Sequence, residues 1–421
     1  MLIEFRVENH RSLKTEQVLT MEAGRVDGDA TIPRTVPGYS KPLLPVAALY
    51  GANASGKSNV LSAIQYMQQA VTNSHRTWEP NGGVPRDPFA WGECRIAPSM
   101  YEAMFVDHGV RYRYGFVVSD ERIEEEWLHA WPKGKQQTWF EREGQKFTFG
   151  DNLKGERRLI QDVTRPNSLF LSTAAQHQHS QLEWVAKWFT YVQALGVENE
   201  TITMWMKVTW KMMEAMRDST STDETIHTDV ASFLLFQSEM KRFINMADVG
   251  IQDVKLQESP SGKLTDSVFL LRHESTSDQS WLPLDRESKG TKTLFHFALP
   301  YWQSLRTGGV LLVDELEASL HPKLAIEIVK QFNNPQTNPK NAQVIFTTHD
   351  TNLLGNDVGE PVLRRDQVWL TEKDKEGATV LYPLTDFKPR KPENLERGYL
   401  QGRYGAIPYL GNFSLLGEGA T

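Results

Sequence analysis

Cysteine is almost missing from this chain: Cys94 is the single one in 421 residues. One thiol excludes an intrachain disulfide and a cysteine-rich zinc site. It leaves Cys94 the role of a small core residue in a reducing compartment. Long apolar runs are missing too, since no stretch approaches the roughly 20 apolar residues of a membrane span. The start, MLIEFRVENHRS, is charged from Glu4 onward and has no apolar leader region. A cytoplasmic protein without membrane contact is the expectation. There is no excess of positive charge: 46 Lys and Arg stand against 53 Asp and Glu, a net −7. That balance argues against coating nucleic acid nonspecifically and leaves only a local basic groove for such a role. Repeats, low-complexity tracts and sustained heptads are absent, so long coiled-coil arms are not expected. The length suits two or three domains, or one domain with large insertions.

What is present changes texture along the chain. Ile3, Phe5 and Val7 alternate with Glu4, Arg6 and Glu8, the pattern of a half-exposed strand. A second strand is expected around Val18–Met21, followed by a Gly/Pro/Asp-rich loop from Gly24 to Pro45. PVAALY, short and apolar before a glycine, reads as a buried parallel strand. Val60, Leu61, Ile64, Met67 and Val71 then fall at helical spacing. From Tyr101 the period becomes two, and Asp107-His108-Gly109 marks a hairpin turn. Antiparallel strands continue to about Phe149.

Between about 180 and 248 the texture is helical and rich in Trp and Met, as in LEWVAKWFTYVQAL and MWMKVTWKMMEAM. These stripes read as core packing rather than a cofactor box. GGVLLVDE and AQVIFTTHD are buried strands of four or five residues, with a helix from about Pro322 to Phe332 between them. The expected division is an N-terminal lobe (1–178), a helical insertion (179–250), a C-terminal lobe (251–385) and a tail (386–421).

GANASGKS, Gly51 to Ser58, fits the phosphate-loop pattern G-x-x-x-x-G-K-[ST] between a buried strand and an amphipathic helix. Glycines let the backbone approach phosphate closely, and successive N–H groups at a helix start supply a positive field. Gly51, Asn53, Ala54, Ser55, Gly56, Lys57, Ser58 and Asn59 are the expected ATP contacts. Lys57 reaches the β- and γ-phosphates, and the Ser58 hydroxyl ligates Mg²⁺. A second acidic element, GVLLVDELEASLHP, delivers Asp314 and Glu315 at a strand's C-terminal end, where open α/β sheets bind ligands. Asp314 holds Mg²⁺ through a water, and Glu315 polarises the attacking water. Standing alone, Glu315 would read as a helix-start acid. His349 ends the next apolar strand, placed to sense the γ-phosphate and that water.

About 250 residues separate Ser58 from Asp314, far more than a small GTPase or simple kinase core needs, and no N-K-x-D stretch offers guanine recognition. NHRS, GANASGKSN, SKGTK, LLVDELEASLHP and FTTHD occur in that order. By these motifs the chain resembles the ABC-type ATPases of the SMC, RecF and OLD group. The likeness is strongest to standalone anti-phage defence ATPases, RloA-like or of the PARIS type. The fold implied is α/β: a P-loop NTPase, ABC-type head with an antiparallel β subdomain and an inserted helical subdomain.

The resemblance implies a head-to-tail dimer with ATP and Mg²⁺ between two heads. Ser288, Lys289 and Gly290 would act in trans as the signature, Ser288 capping the helix that carries Leu294, Phe297, Ala298, Tyr301 and Trp302. The departure from the transporter signature L-S-G-G-Q, with lysine second and threonine fourth, speaks against transport. By local reading alone, Ser288 is an N-cap. Ala318, Ser319 and Leu320 would face the other subunit. The Mg²⁺-linked glutamine is Gln176 or Gln178, with Gln176 preferred, and Arg11 and Ser12 would line the nucleotide. OLD proteins carry a C-terminal Toprim nuclease, whereas only about seventy residues follow His349 and none form D-x-D.

A separately encoded effector, such as a nuclease, is therefore the expected partner in anti-phage defence. The alternatives are a RecF-like repair or recombination ATPase that clamps DNA, and a non-hydrolysing scaffold. In the tail, Lys388, Arg390, Lys391, Arg397 and Arg403 interleave with Tyr399, Tyr404 and Tyr409. That mixture suits a grip on a partner protein or nucleic acid, or a solvated, partly packed tail.

Overall fold

In the computed structural model, the described residues are 1–26, 29–195, 204, 206–211, 238–245, 250–273, 280–318, 320–355, 362–387 and 394–408. Most of the helical insertion, Ser319, and the tail residues Lys388, Arg390, Lys391 and Tyr409 lie outside them.

The N-terminal lobe begins with β1 (Leu2–Glu8), whose alternation buries Ile3, Phe5 and Val7, and β2 (Gln17–Thr20). The strand β3 (Val46–Gly51) is buried at every position and runs into α1 (Lys57–Thr77). Then come β4 (Ser99–Asp107) and β5 (Val110–Val118), joined by a two-residue turn at His108 (φ 46°) and Gly109 (φ 76°). Successive positive φ values are what a tight hairpin with right-twisted strands requires. β6 (Ile123–Trp131), β7 (Gln137–Glu143) and β8 (Lys146–Phe149) complete a seven-stranded antiparallel sheet in the order β2-β1-β4-β5-β6-β7-β8. Helices α2 (Arg157–Val163), α3 (Phe170–Gln176) and α4 (Leu182–Thr190) follow.

Two readings of this stretch need correction. LEWVAKWFTYVQAL is not helical throughout: α4 ends at Thr190, and Val192–Leu195 forms β9, parallel to the strand Val310–Val313. A four-residue apolar strand directly after a helix has no period of its own to betray it. Residues 182–195 thus belong to the core around the sheet that carries Val310–Val313 rather than to a helical insertion. Cys94, expected in the core, is half-exposed in the short 3-10 turn Gly92–Arg95, which buries no residue.

The remaining strands are β10 (Ile251–Gln257), β11 (Val268–His273), β12 (Trp281–Pro283), β13 (Val310–Val313), β14 (Gln343–Thr347), β15 (Val368–Lys373) and β16 (Thr379–Pro383). β10, β11 and β12 form a small antiparallel sheet. The central sheet has the order β16-β15-β3-β14-β13-β9, parallel except for the edge strand β16. Because β3, β14 and β13 are neighbours and parallel, their C-terminal ends place Gly51, Thr348 and Asp314 side by side. Helices Lys289–Thr307 and Pro322–Asn333 cover this sheet. Met206, Trp210 and Met240 from the Trp/Met-rich stretch are buried in the same core, as packing rather than as a cofactor site. The Gln343 side chain locks the lobes together by accepting from Leu2 N at 2.5 Å and donating to Leu2 O and Leu44 O at 3.0 Å.

Candidate nucleotide-binding site

The loop after β3 is built for close approach. At Gly56, the N-cap of α1, φ is 104°, and a Cβ would land on Thr379 Oγ1 and 2.8 Å from Ser12 Oγ. At Gly51 a Cβ would sit 2.5 Å from Thr371 O and 2.6 Å from Ser55 Oγ. No side chain caps α1, and no acid occupies its first turn. Its leading N–H groups and positive dipole end are therefore open to an anion. Lys57 is buried and donates to Gly51 O and Ala52 O, both at 3.0 Å. Burial pulls its ammonium down from the ordinary lysine value, and Asp314, Glu315 and Glu317 oppose that shift.

Ser58 Oγ donates to Asp314 Oδ1 at 2.9 Å, and the same oxygen accepts from Thr347 Oγ1 at 2.7 Å. A hydroxyl and a carboxylate are the hard oxygen ligands that Mg²⁺ takes alongside phosphate oxygens. Among the described residues, no cluster of three His, Cys, Asp or Glu forms a self-sufficient metal site. The Ser58 hydroxyl and the Asp314 carboxylate fit an ion shared with a bound phosphate. Glu315 has φ 52°, a left-handed conformation that costs a non-glycine residue about 1–2 kcal/mol. It is held there by Glu315 N donating to Thr347 Oγ1 at 2.7 Å and by Ala318 N donating to Glu315 O at 2.7 Å. Its side chain is exposed to the cleft. Burial, then the nearby Lys57 charge, lowers the His349 pKa below the usual histidine value, against the opposing pull of the carboxylates.

A cleft of about 430 Å³ is lined by Asn53, Ala54, Gly56, Lys57, Ser58, Asn59, Glu315 and His349. The cleft thus brings together eight of the eleven residues expected from three separate motifs, and Asp314 adjoins it through Ser58. Ser55 contributes differently: its buried hydroxyl bonds Thr371 Oγ1 at 2.6 Å, bracing the loop against β15. Ser12 braces it from the other side, accepting from Asn59 Nδ2 at 2.6 Å and pairing with Thr379 Oγ1 at 2.7 Å. Arg11 does not line the cleft. It pairs with Asp87 at 2.9 Å and borders a neighbouring cavity of about 440 Å³ along α1, with Ser62 and Gln65.

Neither glutamine reaches the site. His177 packs on His75 with ring centres 5.6 Å apart, and that end of α1 lies about 25 Å along the helix from Ser58. Gln176, exposed at the end of α3 beside His177, is therefore remote from Asp314, and Gln178 follows it.

Ser288 is the N-cap of the helix Lys289–Thr307, accepting from Thr291 N at 3.1 Å. With Lys289 it is exposed, and Ser288, Lys289 and Gly290 contribute nothing to the cleft of their own chain. In the tail, Tyr399 and Tyr404 are buried, which removes them as stacking platforms. Arg397 and Arg403 are exposed. No helix among the described residues is long and apolar enough to cross a membrane.

Sequence reading missed Thr347 and Glu317. Thr347 ties Asp314 to the Glu315 backbone, and its place at a strand end beside the acidic strand was the available signal. Glu317 accepts the His349 backbone N–H at 2.6 Å.

Residues 46–194 and 205–355 match the family described as "AAA domain, putative AbiEii toxin, Type IV TA system". No curated protein matches by sequence. Similar solved structures include the SmcHead bound to the C-winged helix domain of ScpA, at 13% identity and TM-score 0.48, covering 90% of this chain and 97% of that one. Another is the Smc head domain with an extended coiled coil bound to the C-terminal domain of ScpA from Pyrococcus furiosus. It has 11% identity and TM-score 0.42, over 96% and 98% of the two chains. The family match spans well over half of the sequence, and the chain belongs to that AAA-domain family of P-loop ATPases.

Proposed function

We propose that this chain is an ATP-hydrolysing switch that dimerises head to tail on ATP and controls a separately encoded effector, a nuclease being the leading candidate, in anti-phage defence. The observation that carries the hydrolytic part is the convergence of Lys57, Ser58, Glu315 and His349 on one cleft, with Asp314 hydrogen-bonded to Ser58. Mg²⁺, when bound by Ser58 and Asp314, offsets phosphate charge. Lys57 and the open N-terminus of α1 bind and orient the phosphates. Glu315 orients a water and accepts its proton. His349 offers a ring nitrogen to that water or to phosphate.

The dimeric part rests on Ser288. An exposed N-cap serine at the start of a 19-residue helix, away from its own cleft, can exchange its cap bond to Thr291 N for a contact with the phosphate of a second copy. Gly290 leaves room there, and Lys289 adds charge. Gln176 drops out of this reading. The effector part rests on the motif order shared with standalone defence ATPases, and the matched family's description, "AAA domain, putative AbiEii toxin, Type IV TA system", is compatible with it.

Ser288→Arg tests the dimeric switch. ATP binding by the monomer should be retained, while ATP-dependent dimerisation on a sizing column and turnover are both lost. Turnover at the wild-type rate in this variant would reduce Ser288 to a helix cap.

A further inference from the structure

Glu317 is a third carboxylate at the cleft, two residues beyond Glu315 in the turn that follows β13. Its Oε1 accepts the backbone N–H of His349 at 2.6 Å. Its Oε2 is covered from solvent and has no hydrogen-bond partner among the described residues.

The backbone around His349 is tied at several points. Thr348 N donates to Leu49 O at 3.1 Å, and the Tyr50 hydroxyl donates to Asp350 O at 2.9 Å. Thr351 Oγ1 donates to Glu396 Oε1 at 2.8 Å, in the C-terminal helix Leu395–Leu400. These three ties run to β3 and to that helix, both fixed parts of the fold. The tie from Glu317 runs instead to the turn that carries Glu315. Within that turn Ala318 N donates to Glu315 O at 2.7 Å, and Leu320 N donates to Glu317 O at 3.1 Å. Any displacement of residues 315–318 therefore moves the acceptor that holds His349.

We infer that Glu317 is a positioning residue for hydrolysis: its carboxylate fixes the His349 backbone relative to Glu315 and couples both to the turn of residues 315–318. The inference rests on the ATPase reading of the cleft. It makes the geometry of the water-activating pair a property of the turn and not of the strands alone.

Two substitutions separate the hydrogen bond from the charge. Glu317→Ala removes the acceptor, whereas Glu317→Gln keeps a carbonyl oxygen that can accept the same N–H. In full-length protein, Glu317→Ala should lower kcat by about ten- to a hundredfold with KM for ATP changed by less than about threefold, and Glu317→Gln should restore most of kcat. Read by NMR without nucleotide, the His349 amide should exchange at least about tenfold faster in Glu317→Ala and near the wild-type rate in Glu317→Gln. Wild-type kcat or wild-type His349 protection in Glu317→Ala would overturn the inference. So would Glu317→Gln losing as much kcat as Glu317→Ala while keeping the amide protected, since charge would then be the working part. Lys57→Ala in the same turnover assay checks the ATPase reading separately. If it loses nothing, that reading fails, and the amide exchange still decides whether Glu317 holds His349.

Discussion

Replacing Gly56 by alanine adds one methyl group where the phosphate loop has no room. The new Cβ would overlap Thr379 Oγ1 and lie 2.8 Å from Ser12 Oγ and 2.9 Å from Thr379 Cβ. Thr379 cannot simply turn away, because its hydroxyl also donates to Ser55 O at 2.7 Å and pairs with Ser12. Two costs add: the left-handed φ of 104°, about 1–2 kcal/mol for a residue with a Cβ, and overpacking, about 1–3 kcal/mol. Gly56→Ala should therefore destabilise the protein by about 2–5 kcal/mol in denaturant titration. Because the strain falls between Ser55 and Lys57, ATP affinity measured by calorimetry should drop by at least about tenfold. Adding Thr379→Ala removes the worst overlap but not the φ strain, so it should recover only part of the stability. Wild-type stability together with wild-type ATP affinity in Gly56→Ala would refute this account of the cradle.

Other perturbations probe the frame around the site. His10 is buried between Tyr101 OH and Ser62 Oγ, both at 2.9 Å, and burial lowers its pKa to about 4. Between about pH 6.5 and 4 the unfolded chain binds a proton that the folded chain does not, so stability falls as pH drops, by about 3 kcal/mol in total from this residue. His10→Gln should flatten the pH dependence of unfolding in that window, and an unchanged slope would contradict the assignment. Glu126 and Arg142 form a fully buried pair at 3.3 Å; Glu126 also accepts from Tyr114 OH, Phe170 N and Leu171 N. Arg142→Ala leaves that carboxylate uncompensated and should cost about 3–5 kcal/mol in a chemical melt. A loss under about 1 kcal/mol would show that the pair does not organise this lobe.

The phosphate loop and the acidic strand end were legible because each motif is contiguous and sits at the end of a buried apolar run. The parallel sheet then did what such a sheet must, setting the ends of β3, β14 and β13 side by side. Ser288 was legible for the same local reason, as a cap ahead of an apolar helical stripe. Gln176 misled because its placement depended on where α3 packs along α1, a distance that no local pattern encodes. β9 was hidden by its brevity and by the helix before it. The buried Tyr399 and Tyr404 show how a basic, aromatic tail can read as a binding strip while its rings serve the core. Glu317 escaped notice because its partner is the backbone of residue 349, and a backbone partner leaves no residue pair in the sequence.

Steady-state ATP turnover by Glu315→Gln tests the central claim most directly. Glu315 lines the cleft beside Lys57 and Ser58 with its backbone held in a left-handed conformation. The amide keeps the shape of the side chain but cannot take a proton from water. The account predicts turnover at least about a hundredfold below wild type, with ATP still bound and the dimer trapped. Turnover equal to wild type would contradict it.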